Sequence, residues 1–169
     1  LSNRLQHQLT PHYLRRTKSD VLTGLPAKRE DPRLVPLGER QARLLVDVVR
    51  RVKSGELIPI AALQHLLKIA SHPELYEETG RPIEDLIAEC PKLDRTLEIL
   101  DDVRGRGEKV VVFTRLKRMQ QLLQVAIAHR FGLHAHILNG DDQGGRRQEI
   151  VDRFNASQGF GALILGPDA

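Results

Sequence analysis

The sequence predicts an α/β domain, a parallel sheet with flanking helices, preceded by a mostly helical stretch. Three observations carry this. Short apolar runs occur at 110–113, 134–138 and 162–165, and segments of helical spacing separate them. Two of the runs have no polar break, which points to a sheet covered on both faces rather than one with a wet side. Ahead of residue 90 the alternation disappears and helical periods dominate.

The elements follow in chain order. Residues 1–28 hold no strong period, contain Arg15 and Arg16, and end in the turn-rich "TGLPAK". Next, "REDPRLVPL" reads as a short extended piece, which Pro32 and Pro36 confine to an edge or to strand ends. From 39 to 53, Ala42, Leu45, Val49 and Val52 step by three and four, making one apolar stripe on a helix that Ser54 and Gly55 end. A second helix is expected from about 60 to 71, stopped by Pro73. The polar "EETGRPIED", 77–85, reads as a loop. A helix with Leu93, Leu97, Leu100 and Val103 on one face ends at "RGRGEK". The strand 110–113 follows, then a helix carrying Leu116, Met119, Leu123 and Ala126. The strand "HAHIL", the turn "NGDDQGG", a helix with Ile150, Val151 and Phe154, and the strand "ALIL" complete the pattern. There are no internal repeats and no low-complexity segments.

Composition bounds the function. The 169 residues are 40% apolar, enough for a real core, but only 4% aromatic with no Trp, so that core must be Leu, Val and Ile. A net charge of +4 permits a polyanionic partner without demanding one. Cys90 is alone, which excludes a disulfide framework and a cysteine zinc site and fits a reducing compartment. No apolar run approaches the roughly 20 residues of a membrane helix, and no signal peptide is visible. His134 and His136 share a strand face with no third ligand evident, so a metal site is not expected. His72 is expected as a packing residue at a helix stop rather than a ligand.

The strand ends concentrate the chemistry. In open α/β sheets ligands sit beyond the carboxyl ends of the strands. Three short stretches lie there: Thr114-Arg115, Asn139-Gly140-Asp141 and Gly166-Pro167-Asp168. Helices begin just after the first two, and helix N-termini offer free N–H groups and a positive dipole end to phosphate. Thr114 offers a hydroxyl and Gly140 a close backbone approach. Arg115, Lys117, Arg118, Arg146 and Arg147 place positive charge near the rim. The plain alternative is a solvated charged face, with Gly140 serving the turn and Asp141 or Asp142 capping a helix. "GDDQGG" matches neither a Walker loop nor a dinucleotide fingerprint.

Order and spacing add more. "PHYLRRTKSDVLTGLPAKRE", 11–30, is similar to an LRR-x-K-x-D-V element followed by LP-x-K. "LQHLLKIASHPEL", 63–75, is similar to an L-R-K-x-x-x-H-P-x-L helix, with Leu67 where Arg is usual. "CPKLDRTLEIL", 90–100, resembles an S-x-K-L helix, and "GEKVVVFTR", 107–115, resembles motif IV. "LNGDDQGGRRQEIVDRFN", 138–155, resembles the D-G-x6-R-x6-F-N element, with Asn139 for the usual Asp. "ALILGPDA" resembles the start of motif V. Each is modest alone. Six in this order and at these separations resemble the C-terminal half of the motor in the Swi/Snf-type helicase-like ATPases, the DNA translocases of helicase superfamily two.

The resemblance implies a division of the chain. Residues 1–30 would be the segment joining two motor lobes, 31–38 the first strand of the second lobe, 39–89 a helical insertion that braces or flanks DNA, and 90–169 a RecA-like helicase C-terminal core truncated within motif V. It implies a hydrolase whose full-length parent uses ATP and Mg2+ to move along double-stranded DNA. The first RecA-like lobe of the same polypeptide would be its partner, with no membrane involved. The isolated chain would be inactive, with no catalytic residue or cofactor of its own, because the nucleotide loop, the D-E-x-H box and motif VI are expected elsewhere. The nucleic-acid-binding residues it implies are Thr114, Arg115, Lys117, Asn139, Gly140 and Arg147. Arg147 has a second reading, a tie between its helix and the sheet. The alternative function is a catalytically inactive nucleic-acid-binding or protein-interaction module. The Arg-rich make-up suggests a bacterial, nucleoid-associated protein of the cytoplasm; a eukaryotic one would be nuclear.

Overall fold

The structure, a computed structural model, describes residues 29–140 and 144–167. Most of the joining segment, the proposed caps Asp141 and Asp142, and Asp168 lie outside the described residues. The chain divides into two compact units, 1–33 and 34–169. In the first, Arg33 pairs with Asp31 at 2.6 Å. The described helices and the sheet belong to the second.

The strand expected over 31–38 is not formed. Residues 29–38 carry neither helix nor strand, and Leu34 is 98% exposed. Pro32 and Pro36 remove two of the N–H donors a ladder would need, and no apolar face is buried in exchange.

Four helices follow: α1 (Glu39–Lys53), α2 (Pro59–Ser71), the single turn α3 (Glu74–Glu77) and α4 (Ile83–Glu89). The loop expected over 77–85 is therefore shorter, because α4 starts directly after Pro82, whose fixed φ suits the cap position. The stripe expected on α1 is rotated. Val48 and Gln41 are buried, whereas Ala42 and Val49 face outward. Leu44, Leu45, Val46, Val48 and Val49 leave several candidate faces, and packing on Ala62 and Ile69 of α2 selects one. Gln41 earns its burial through hydrogen bonds. Its Oε1 accepts from the Gly38 N–H at 3.1 Å and its Nε2 donates to the Ile69 carbonyl at 2.9 Å.

Gly38 itself is required by close approach. A Cβ there would stand 2.3 Å from the Glu89 carbonyl oxygen. Gly38→Ala is expected to cost about 1–3 kcal/mol, the range for overpacking. A urea midpoint equal to wild type would show that the 89–91 backbone yields without cost.

The α/β part contains α5 (Pro91–Gly105), β1 (Lys109–Phe113), α6 (Lys117–Phe131), β2 (His136–Leu138), α7 (Gly144–Ala156) and β3 (Gly161–Leu165). The sheet is parallel with order β1-β3-β2, and Val112 and Ile137 both pair with Ile164. Alternation on β3 splits the core. Ala162 and Ile164 pack with Leu93, Leu97 and Leu100 of α5 and Leu123 and Ile127 of α6. Leu163 and Leu165 pack with Ile150, Val151 and Phe154 of α7. Among the described residues this central strand is buried on both faces over most of its length. β1 is not, contrary to expectation. Val110 and Val112 join the α5–α6 core, but Val111 is 41% and Phe113 69% exposed, because α7 lays its apolar face on β2 and β3 and meets β1 at its start, where Lys109 Nζ donates to the Asn155 carbonyl at 2.8 Å. β2 is also shorter than expected, since the Ala135 carbonyl accepts from Gln124 Nε2 at 2.7 Å.

Candidate nucleic-acid interface

Parallel pairing brings the carboxyl ends of all three strands to one edge of the sheet. Two backbone bonds extend the ladder past the strands: the Thr114 N–H donates to the Leu165 carbonyl at 3.0 Å, and the Gly166 N–H to the Leu138 carbonyl at 2.9 Å. Residues 114, 139 and 166 thus form a continuous rim.

One side chain clamps that rim. Gln120, in the first turns of α6, is 1% exposed. Its Nε2 donates to the Thr114 carbonyl at 3.0 Å, and its Oε1 accepts from Asn139 Nδ2 at 3.0 Å. A Cβ on Gly166 would lie 3.2 Å from the same Nε2 and 3.3 Å from the Asn139 Cβ, so glycine gives the three ends room to meet. Sequence reasoning missed Gln120. A buried glutamine amid apolar helix positions is its only linear signal.

The expected site residues occupy this edge in different ways. Thr114 and Asn139 are half-buried and held by Gln120. Arg115 is exposed, and no described residue takes its guanidinium. Lys117 is exposed at the first position of α6, and Gly140 is exposed in the turn after Asn139. Arg147 turns inward. Its Nη2 donates to the Asn139 carbonyl at 3.0 Å, tying α7 to the rim, while its Nε is buried with no partner among the described residues. The tying role is therefore realised for one of its nitrogens.

The helix ends at this edge run against ordinary charge preference. α6 begins with Lys117 and Arg118 and has no acid in its first turn, and α7 likewise has none. Cations at a helix N-terminus oppose the dipole by about 0.3–1 kcal/mol each. By contrast, α1 and α4 start with Glu39 and with Glu84 and Asp85. Placing cations where they weaken the helix suits a surface that meets an anion. The cationic field extends along β2. Burial, with His134, Arg153 and Arg146 beside it, holds His136 below the usual imidazole range.

A groove of about 450 Å³ opens beside the end of β1. Thr114 and Arg115 form one side of it, Lys68 of α2 and Lys92 of α5 contribute further cations, and Leu67 and Phe113 supply an apolar wall. Lys68 and Lys92 were missed as site residues. Both sit in stretches that carry the resemblance, yet nothing in their linear position sets them in one groove with residue 115. His72 lies elsewhere, in the core: it is 0% exposed, its Nε2 meets the Leu86 carbonyl at 2.8 Å, and its Nδ1 accepts from the Glu74 N–H at 3.1 Å. Among the described residues no helix is long and apolar enough to cross a membrane.

No protein-family model matches the chain. The Zorya protein ZorD of Escherichia coli is 31% identical over 179 residues, covering 95% of this chain and 16% of that protein. The mouse SWI/SNF-related matrix-associated actin-dependent regulator of chromatin subfamily A member 1 is 28% identical over 92% of this chain and 16% of its own length. The chain spans under a fifth of the curated relatives it matches. Its fold is that of the Sulfolobus solfataricus SWI2/SNF2 ATPase core. One solved form matches 98% of this chain with a TM-score of 0.73 at 23% identity, over 36% of that chain. The form in complex with dsDNA matches 96% with a TM-score of 0.69 at 24% identity, over 37% of that chain.

Proposed function

Because this chain belongs to the Swi/Snf-type family of helicase-like ATPases and has the fold of the C-terminal RecA-like lobe, we propose that it is the second motor lobe of an ATP-dependent double-stranded DNA translocase. The observation that carries this is the cationic rim at the carboxyl ends of the strands, held in register by Gln120 and built against the helix dipoles. A related core has been solved in complex with dsDNA, which supports the same partner for this rim.

The rim suits the backbone rather than the bases. Thr114, Arg115 and Lys117 offer a hydroxyl and two cations, which give affinity and position without reading sequence. A motor that walks along any duplex needs that kind of grip. The residues 39–89 form the helical insertion, and ATP and Mg2+ belong to the whole protein, held chiefly by its first lobe. When bound, ATP supplies the phosphoryl-transfer chemistry that drives lobe closure. This chain's own residues hold the track while the lobes close and open. Asn139 and Arg147 act mainly as its frame. Such a protein works where DNA is, in the bacterial nucleoid or the nucleus.

The test is duplex DNA binding by this chain as a function of salt, for wild type and for Thr114→Ala/Arg115→Ala. Wild type is expected to bind weakly and without sequence preference. The double variant is expected to lower the log–log salt slope by about 1, the signature of one lost phosphate contact. Binding that the double variant leaves untouched would move the DNA site away from the end of β1.

A further inference from the structure

We propose that the grip extends onto the helical insertion, with Lys68 of α2 in that insertion and Lys92 of α5 in the core binding the DNA backbone jointly with Thr114 and Arg115 in the groove they line together. The inference rests on the motor-lobe reading only for the identity of the polyanion. The groove is assigned from its own chemistry.

Among the described residues no aspartate or glutamate lines this groove. That is uncommon on this surface, where most guanidinium groups are already matched. Arg40 pairs with Glu77 and Glu89, Arg81 with Glu89, Arg95 with Glu98, Arg118 with Glu78, and Arg130 with Asp101. Lys68, Lys92 and Arg115 have no carboxylate within ion-pair distance among the described residues. Three unmatched cations around one concavity repel each other, and an anion seated between them removes that repulsion.

Lys92 adds an independent sign. It is the second residue of α5, where the dipole disfavours a cation. The hydroxyls divide by role. Ser71 Oγ already donates to the Leu67 carbonyl at 2.8 Å, so it offers no proton to a ligand. The Thr114 hydroxyl makes no hydrogen bond among the described residues and is available. The apolar wall matters as well. Leu67 is 53% and Phe113 69% exposed, large apolar surfaces that a deoxyribose edge can cover. Displacing water from that wall lowers the local dielectric and strengthens each contact between ammonium and phosphate.

Lys68→Gln/Lys92→Gln is the test, in the same salt-dependent duplex binding measurement. Removing two phosphate contacts is expected to lower the log–log salt slope by about 2. At low salt the affinity is expected to fall about tenfold or more. Lys68→Arg/Lys92→Arg should keep the wild-type slope, because charge is preserved. Urea midpoints of both variants are read alongside to show that they fold. A wild-type slope in the glutamine variant, with Thr114→Ala/Arg115→Ala still weakened, overturns the groove assignment and leaves the motor-lobe reading standing. A loss that arginine does not restore also overturns it, since the lysines would then act through packing. No salt-sensitive binding by folded wild type, or binding that neither pair of substitutions changes, overturns both.

Discussion

Replacing Gln120 by leucine is expected to cost about 2–4 kcal/mol of stability and to weaken duplex binding as well, although the substitution removes no charge. Leucine matches the buried, apolar surroundings of the position. The cost arises from the groups left behind. The Thr114 carbonyl loses the donor at 3.0 Å and the Asn139 amide loses the acceptor at 3.0 Å, both on the side facing Gln120, which is itself 1% exposed. Each buried polar group left without a partner costs about 1–3 kcal/mol. Binding should suffer because the ends of β1 and β2 are then no longer held together, and the phosphate contacts on them lose their spacing. The measurements are the urea midpoint and the salt-dependent affinity of the same variant. Gln120→Glu is a useful second variant, since it keeps the shape and the acceptor but removes the donor. A leucine variant of unchanged stability would mean that both orphaned groups find new partners and that Gln120 is not the clamp.

Acid is expected to destabilise the chain below the ordinary imidazole range, and His72 is the main reason. Burial holds its pKa below the usual value, against the pull of the Leu86 carbonyl, Glu89 and Glu74, while Arg40 pushes the same way as burial. Both ring nitrogens are engaged with backbone, one of them as acceptor from the Glu74 N–H. Protonation would turn that acceptor into a donor facing a donor. In the window between the depressed folded pKa and the unfolded value near 6.5, the unfolded chain binds more protons. Stability is therefore complete above that window and falls as pH drops through it, by up to about 1.4 kcal/mol per pH unit. Glu74, also held low despite its burial because Thr79 and the Gly80 N–H bond its carboxylate, adds a loss only at more acidic pH. The check is the urea midpoint from pH 7 down to pH 5 for wild type and His72→Gln. The variant should be less stable at pH 7, with a flatter profile below 6.5. Equal slopes in the two proteins would assign the acid sensitivity to another histidine.

Much of the fold is legible in the sequence because its signals are local. The period of α1, the proline stop after α2, the Leu93–Leu97–Leu100 face of α5 and the apolar run of β3 each lie within a few residues. The misreadings share one cause. The run 110–113 looks like a doubly covered strand, but only its neighbours decide whether a helix lies over Val111 and Phe113, and among the described residues none does. The apolar excess of α1 fits several faces, and its packing against α2 chose the one carrying Gln41 and Val48. The stretch 31–38 has no partner strand among the described residues, and two prolines oppose one.

The candidate site divides the same way. Strand-to-helix junctions are visible in the sequence, so Thr114, Arg115, Asn139 and Gly140 could be named from it. By itself the sequence determined the α/β class, the alternation of elements, the cationic strand ends and the family resemblance, because these depend on residue order and short-range periodicity. Only the tertiary structure decided the strand order β1-β3-β2, the clamp by Gln120, the inward turn of Arg147, and the gathering of Lys68 and Lys92 with Arg115 around one groove. Those features join residues 6 to 52 positions apart, and their geometry is set by which hydrophobic faces pack together, a choice that no local stretch of chain contains.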